Sequence, residues 1–408
     1  MSVLFTAVSQ QDVDKVLDTL GVSIDPEEEN DFHTLLAAVH YCTWEIQRLP
    51  NYQLTSDRIR YPRGTTRAVL LSGKTVYLKD IIAIADVPQL YGTDIFPAWT
   101  PTTDATVVTR VLDAGANVVG TTTCENMWND TSSFTSAQGT VHNPFAVGYS
   151  AGGSTSGGAA VVGGGLADIA IGTDQGGSSR IPSAFCGCIS SGDAIDDYAG
   201  PIAKSVRDVA LCLDAISGYD GIDDRCMGAP AHSLTTFAVS MQAQHGLDGF
   251  RIGILTKGFS HPMVEKEVRE VVLATVHKFK SLGAADDEVS IPDHLHGPGL
   301  WTIQQRSAGS QNLLGRQHGR RDLYPTELDQ HRLPWTTESF RRGFAATKNV
   351  IINGQYLIER FPGLYGKAIN LEQRLRDSYQ EAFERYDVLV VPIAPMVAPK
   401  HGMKCSPI

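Results

Sequence analysis

Two serines, Ser154 and Ser178, each directly follow a Gly-Gly pair within the stretch from Tyr149 to Gly187. Glycine at this density costs conformational entropy unless the backbone must turn tightly or approach something closely. A Gly-Gly before a serine lets the backbone take positive φ and aim neighbouring N–H groups at one point. Such a point can hold the negative oxygen of a tetrahedral intermediate. A lone Gly-Gly-Ser is more simply an ordinary turn; two in one stretch ask for a chemical reason.

A serine acting as nucleophile needs a base, oxyanion donors and a proton for the leaving group. Lys79 follows the β-prone run Val76 to Leu78, and a lysine is one side chain that can act as a base. It serves only after losing its proton, which burial without a paired carboxylate favours. Its bland alternative is a surface ion pair with Asp80. Lys74 precedes the strand and is the rival lysine. Gly148-Tyr149-Ser150-Ala151-Gly152 matches the G-x-S-x-G elbow of α/β-hydrolase esterases. That elbow needs a buried strand before it, and His142-Asn143-Pro144-Phe145 reads as a loop. His294 and His296 lie two apart but lack metal-ligand spacing, and Cys186 and Cys188 read as packed thiols. No metal is expected.

The segments GGSTSGG and IGTDQGGSSRIPSAFCG, with GKTVYLKDIIAIADVP upstream, resemble the amidase signature family of amide hydrolases. The resemblance runs from about Gly73 through DATVVTRVLDAGANVVGTTTCENM, GPIAKSVRDVALCLDAISGYDG, LDGFRIGIL and YDVLVVPIAP. The N-terminal portion resembles bacterial and fungal amidases often associated with nitrile catabolism. The resemblance implies a Ser-Ser-Lys triad: Ser178 as nucleophile, Ser154 as bridging serine on a cis peptide, Lys79 as base. Backbone N–H groups of Gln175, Gly176, Gly177 and Ser178 become the candidate oxyanion donors, with Asp174 and Arg180 bracing their loop. The implied reaction is hydrolysis of a small-molecule carboxylic amide through an acyl-enzyme, with no cofactor. The alternatives are a weakly active or non-catalytic homologue, an amidase-like component of a transamidase, and an esterase using Ser150. Two departures stand out. After Gly187 the chain runs CISSGDAIDDYAGPIAKSV where family members carry Gly-x-Lys-Pro-Thr and a further strand, and it stops at Ile408, soon after VLVVPIAPMVAP. Both lead to the expectation of an internally shortened and C-terminally truncated chain, either a true variant or a gene model that omits coding sequence, and poorly soluble or inactive alone.

The 408 residues can build a large core, with 42% apolar and 19% charged residues. A net charge of −11 and the lack of a basic cluster argue against nucleic acid as a partner. Seven scattered cysteines do not read as a disulfide framework, and Met1-Ser2-Val3 opens no secretory signal. The apolar run from Ala159 to Ile171 is broken by glycines and Asp168, so no membrane span is expected. A cytoplasmic location follows by default, and a homo-oligomer is left open.

The elements that must position Lys79, Ser154 and Ser178 alternate strand and helix, which predicts an α/β fold. It takes the form of a mixed β-sheet core covered by helices on both faces. Residues 1–69 read as a helical N-terminal segment and linker, with helices at 9–20 and 31–49 and a polar linker at 51–67. Residues 70–408 read as the amidase signature domain. Within it strands are expected at 76–78, 118–119, 169–171, 251–255 and 388–391. Helices are expected at 101–116, 156–165, 205–216 and 264–282, with a mainly helical stretch at 302–385 and a surface excursion at 226–245.

Overall fold

The computed structural model describes residues 8–20, 23–31, 33–37, 49–50, 70–191, 198–227, 229, 237–243, 246–319, 324 and 326–402. The chain divides into two compact units, Met1–Thr55 and Ser56–Ile408. The first contains helix α1 (Gln10–Leu20), whose start is held by the Ser9 N–H donating to Asp12 at 2.8 Å. Helical residues follow at 29–31 and 33–37. Most of the expected second helix, and all of the expected linker, lie outside the described residues.

The second unit is built on a five-stranded mixed sheet in the order β2-β1-β5-β7-β6. Its strands are β1 (Thr75–Lys79), β2 (Asn117–Thr122), β5 (Ile169–Asp174), β6 (Ile189–Ser190) and β7 (Tyr198–Ala203). β2, β1 and β5 run parallel, whereas β7 is antiparallel to both β5 and β6. Side chains alternate across the sheet with period two. Val76, Leu78, Ile169 and Ile171 pack with Val108 and Val111 of helix α2 (Thr106–Asp113) and with Cys212. Ala170 and Ile202 face the other way, onto Ala159 and Val162 of helix α3 (Ser156–Gly163). Helices therefore cover both faces, as expected.

α2 begins five residues later than the pattern predicts. Residues 101–105 are irregular and pinned by tertiary bonds, with Pro101 O accepting from Asp86 N–H and the Asp104 carboxylate from Ala85 N–H. Helix α4 (Arg180–Phe185) follows the second glycine-rich turn. Helix α5 (Val206–Ile216), which carries Cys212, is N-capped by Ser205, whose hydroxyl accepts from Asp208 N–H. The stretch after Gly187 feeds two strands, β6 and β7, and Gly200-Pro201-Ile202 lies in β7. Residues 192–197 between them lie outside the described residues.

A hairpin of β3 (His142–Asn143) and β4 (Ala146–Ser150) leads into α3. The expected surface excursion contains helix α6 (Phe237–Ala243), whose first N–H groups dock on the Asp214 carboxylate of α5 at 2.7 and 3.0 Å. A separate three-stranded parallel sheet, β10-β8-β9, joins β8 (Arg251–Leu255), β9 (Ala285–Val289) and β10 (Val388–Val390). β9 reads Ala-Asp-Asp-Glu-Val and gives no strand signal, because it is an edge strand with a largely solvated surface. Helix α7 (Lys266–Lys280) packs Val276 against this sheet. Helix α8 (Gly297–Leu313) starts before the expected Thr302, with Pro298 in the first turn, where no donor is needed. Helices α9 (Ala345–Arg360) and α10 (Leu364–Phe383) pack beside it.

Candidate active site

Lys79 ends β1 in the middle of the sheet, and its side chain is fully buried. Its ammonium nitrogen lies 2.8 Å from Ser154 Oγ and 2.8 Å from Thr173 Oγ1. A surface ion pair with Asp80 is ruled out by this burial. The Asp80 carboxylate turns instead to Leu90 N–H, and burial lifts its pKa from 3.8 to about 6.

Ser154 sits in the loop between β4 and α3, and its peptide bond to Gly153 is cis. Gly152 has φ +75, and a Cβ there would lie 2.7 Å from Pro182 Cα, so only glycine fits this crossing. The loop is strapped to Glu125, a fully buried carboxylate. Glu125 accepts from Thr135 N–H at 2.9 Å, Thr135 Oγ1 at 2.7 Å and Ser156 Oγ at 2.8 Å. Burial pushes the Glu125 pKa up, against the pull of these donors. Thr155 N–H donates to Ser178 O at 3.0 Å and so ties the two serine loops together.

The second loop, from β5 to α4, folds around Asp174. This buried carboxylate takes the N–H groups of Gly177 (2.6 Å), Ser179 (3.0 Å) and Arg180 (3.1 Å), plus a bidentate pair from the Arg180 guanidinium. Burial opposes its ionisation, but Arg180 and the backbone donors outweigh burial and hold the carboxyl below its usual range. Asp174 and Arg180 thus brace the turn from both ends. The Gly177 N–H is a correction to the expected donor set: it is spent on Asp174 and does not face the cavity. Gln175, Gly176 and Ser178 N–H groups remain.

Ser154, Thr173, Gln175, Gly176 and Ser178 line one cavity of about 270 Å³. Ser178 makes no side-chain hydrogen bond among the described residues, so its hydroxyl is uncommitted. Adjoining cavities of about 260 and 320 Å³ share Gln175 and Gln305 with it, which makes a branched cleft. Trp301 of α8 closes over the turn: its indole N–H donates to Gln175 O at 3.2 Å, and a Cβ on Gly176 would collide with the ring.

Sequence reasoning missed Thr173, Glu125, Thr155 and Trp301. Thr173 lies inside the IGTDQGGSS motif, next to Asp174; Glu125 and Trp301 reach the site from distant segments that no local spacing connects. The decoys separate cleanly. A strand does precede Ser150, contrary to the expected loop, but it belongs to a two-stranded hairpin with Val147 exposed. Ser150 is buried, and its Oγ donates to Ser132 O and accepts from Gly152 N–H. Lys74 pairs with Asp208 at 3.0 Å and Asp168 at 3.4 Å, and the Asp208 hydrogen bond chiefly raises its pKa. His294 bonds Tyr379 OH at 2.7 Å, and burial lowers its pKa. Burial pushes the Cys186 and Cys188 thiols up to about 12 and about 11. Among the described residues no group of His, Cys, Asp and Glu could hold a metal, and no helix is long and apolar enough to cross a membrane.

The Amidase family model matches residues 56–407. The chain belongs to the amidase family. It is similar to an enantioselective amidase of Rhodococcus rhodochrous, 34% identical over 348 residues, which are 81% of this chain and 66% of that relative. It is also similar to a glutamyl-tRNA(Gln) amidotransferase subunit of Halothermothrix orenii, 30% identical over 372 residues, 87% of this chain and 76% of the relative. Among solved structures it matches a bacterial aryl acylamidase of the amidase signature enzymes with a TM-score of 0.67 at 21% identity, covering 83% of this chain and 69% of that one. The corresponding amidotransferase subunit of Thermotoga maritima matches with a TM-score of 0.65 at 24% identity, over 82% and 71%. These likenesses show the amidase signature fold.

Proposed function

We propose that this amidase-family chain hydrolyses a small carboxylic amide to acid and ammonia or amine through a seryl acyl-enzyme. The observation that carries the reading is the fully buried Lys79 nitrogen 2.8 Å from Ser154 Oγ, at the cavity that Ser178 also lines. Neutral Lys79 takes a proton from Ser154, which takes one from Ser178 as the Ser178 Oγ attacks the amide carbon. The Gln175, Gly176 and Ser178 N–H groups receive the oxyanion. The relay returns the proton to the nitrogen as the C–N bond breaks, and water cleaves the ester by the same path. No cofactor enters these steps.

Purified protein should turn over members of a panel of small aliphatic and aromatic amides, and Ser178→Ala and Lys79→Ala should each lower the rate by at least about 10³-fold. Near wild-type rates in Lys79→Ala would rule the triad out. Similarity to the amidotransferase of Halothermothrix orenii favours a second reading, in which the released ammonia passes to a partner chain. Turnover by the purified chain alone, undiminished by the lack of any partner, would discard it.

A further inference from the structure

The wall of the cleft opposite the serine loops belongs to α8, and two of its polar side chains are unspent. Arg306 lines the cavity of Ser154 and Ser178, is partly buried, and makes no hydrogen bond or ion pair through its guanidinium among the described residues. Burial lowers its pKa, as for a cation lacking a compensating charge. Its neighbour Gln305 is 8% exposed, lines the same cavity, and has a buried Oε1 with no hydrogen-bond partner. Other charges along the branched cleft are engaged. Arg376 holds Glu372 at 2.8 Å and Arg225 holds Asp223 at 2.8 Å. The Asp130 carboxylate accepts the N–H groups of Thr131 and Ser132 at 2.6 and 2.9 Å.

A half-buried guanidinium is costly to leave unanswered, and its planar fork matches a carboxylate. We infer that Arg306 is a specificity residue that receives an anionic group of the substrate, so that the chain acts on amides whose acyl part ends in a carboxylate, with Gln305 Oε1 accepting a hydrogen bond from the same molecule. This rests on the amide-hydrolase reading of the cavity.

The test compares kcat/KM for succinamate and glutaramate with that for neutral butyramide. Wild type should prefer one of the acids. In Arg306→Gln the acid-to-neutral ratio should fall roughly 10- to 100-fold, the scale of one charge-assisted hydrogen bond, and mainly through KM. Arg306→Lys should keep part of the preference. Turnover of butyramide without preference for either acid, or an equal loss on all three in Arg306→Gln, overturns the inference and leaves the amidase reading standing. If no amide is turned over, that reading falls, and calorimetric titration with succinate decides the inference instead. Binding by wild type that is lost in Arg306→Gln supports it, and no binding by a folded wild type overturns it.

Discussion

Ser150 and Ser178 are both serines beside glycine, but they differ in what their hydroxyls already hold. Ser150 Oγ is engaged by Ser132 O and Gly152 N–H, 2.9 Å each, inside the protein. Removing it strands a buried donor, which costs about 1–3 kcal/mol. Ser150→Ala should therefore melt at a lower temperature yet still turn over amide, while Ser178→Ala should melt near wild type and turn over none. Scanning calorimetry beside a rate assay separates the two; loss of rate in Ser150→Ala at unchanged stability would favour the elbow reading. Asp80 makes a different prediction. Its folded pKa of about 6 lies above the 3.8 of an unperturbed carboxyl because burial disfavours the charge. The folded state then binds this proton more tightly, so the stabilisation is present at low pH and lost as pH rises from about 4 through 6. Across that window the difference amounts to about 3 kcal/mol. Asp80→Asn should show a flatter stability–pH curve between those values, measured by urea unfolding at several pH values. An unchanged slope would mean that Asp80 does not titrate there.

Among the elements, α8 forms the cleft wall on which the proposed specificity rests, since Trp301, Gln305 and Arg306 all sit on it. It is set by α9, which crosses so closely at Gly354 that a Cβ there would collide with Arg306 O and the Ser310 side chain. Gly354→Ala should push α8 away, cost about 1–3 kcal/mol in stability by overpacking, and reduce turnover with the site residues unaltered. A rate equal to wild type would show that the crossing does not position the cleft. Nothing in the sequence marked this contact, because Gly354 lies inside a helix whose own pattern is unremarkable. What was legible follows the burial. β5 is buried on both faces, β1 buries Val76 and Leu78, and both read as apolar runs, while α5 shows its N-cap and apolar stripe. β9, an exposed acidic edge strand, and the Gly-Pro-Gly start of α8 depend on neighbours that only the fold supplies. At the candidate site, the two serine loops were legible because glycine-rich turns leave a sequence signature, and Lys79 because it ends the β-prone run Val76 to Leu78 within the segment that carries the family resemblance. Glu125, which straps the Ser154 loop, was not, since its partners Thr135 and Ser156 are joined to it only in three dimensions.

At the scale of the molecule, every residue assigned a role lies between Lys79 and Arg306, inside the unit Ser56–Ile408. The family match covers almost the same span, 56–407. The five-stranded sheet supplies the proposed base and both serine loops, α8 supplies the opposite wall, and among the described residues none of these groups comes from Met1–Thr55. Catalysis should then depend on the first unit only through folding. A chain lacking residues 1–55 is expected to keep kcat on a neutral amide within about threefold of the full chain, well under the effect of removing a reacting group. Circular dichroism and a melting curve would first establish that the shortened protein is folded. A folded 56–408 chain whose kcat falls more than about tenfold would place a positioning contribution in the first unit. A loss confined to KM would assign it to substrate entry instead.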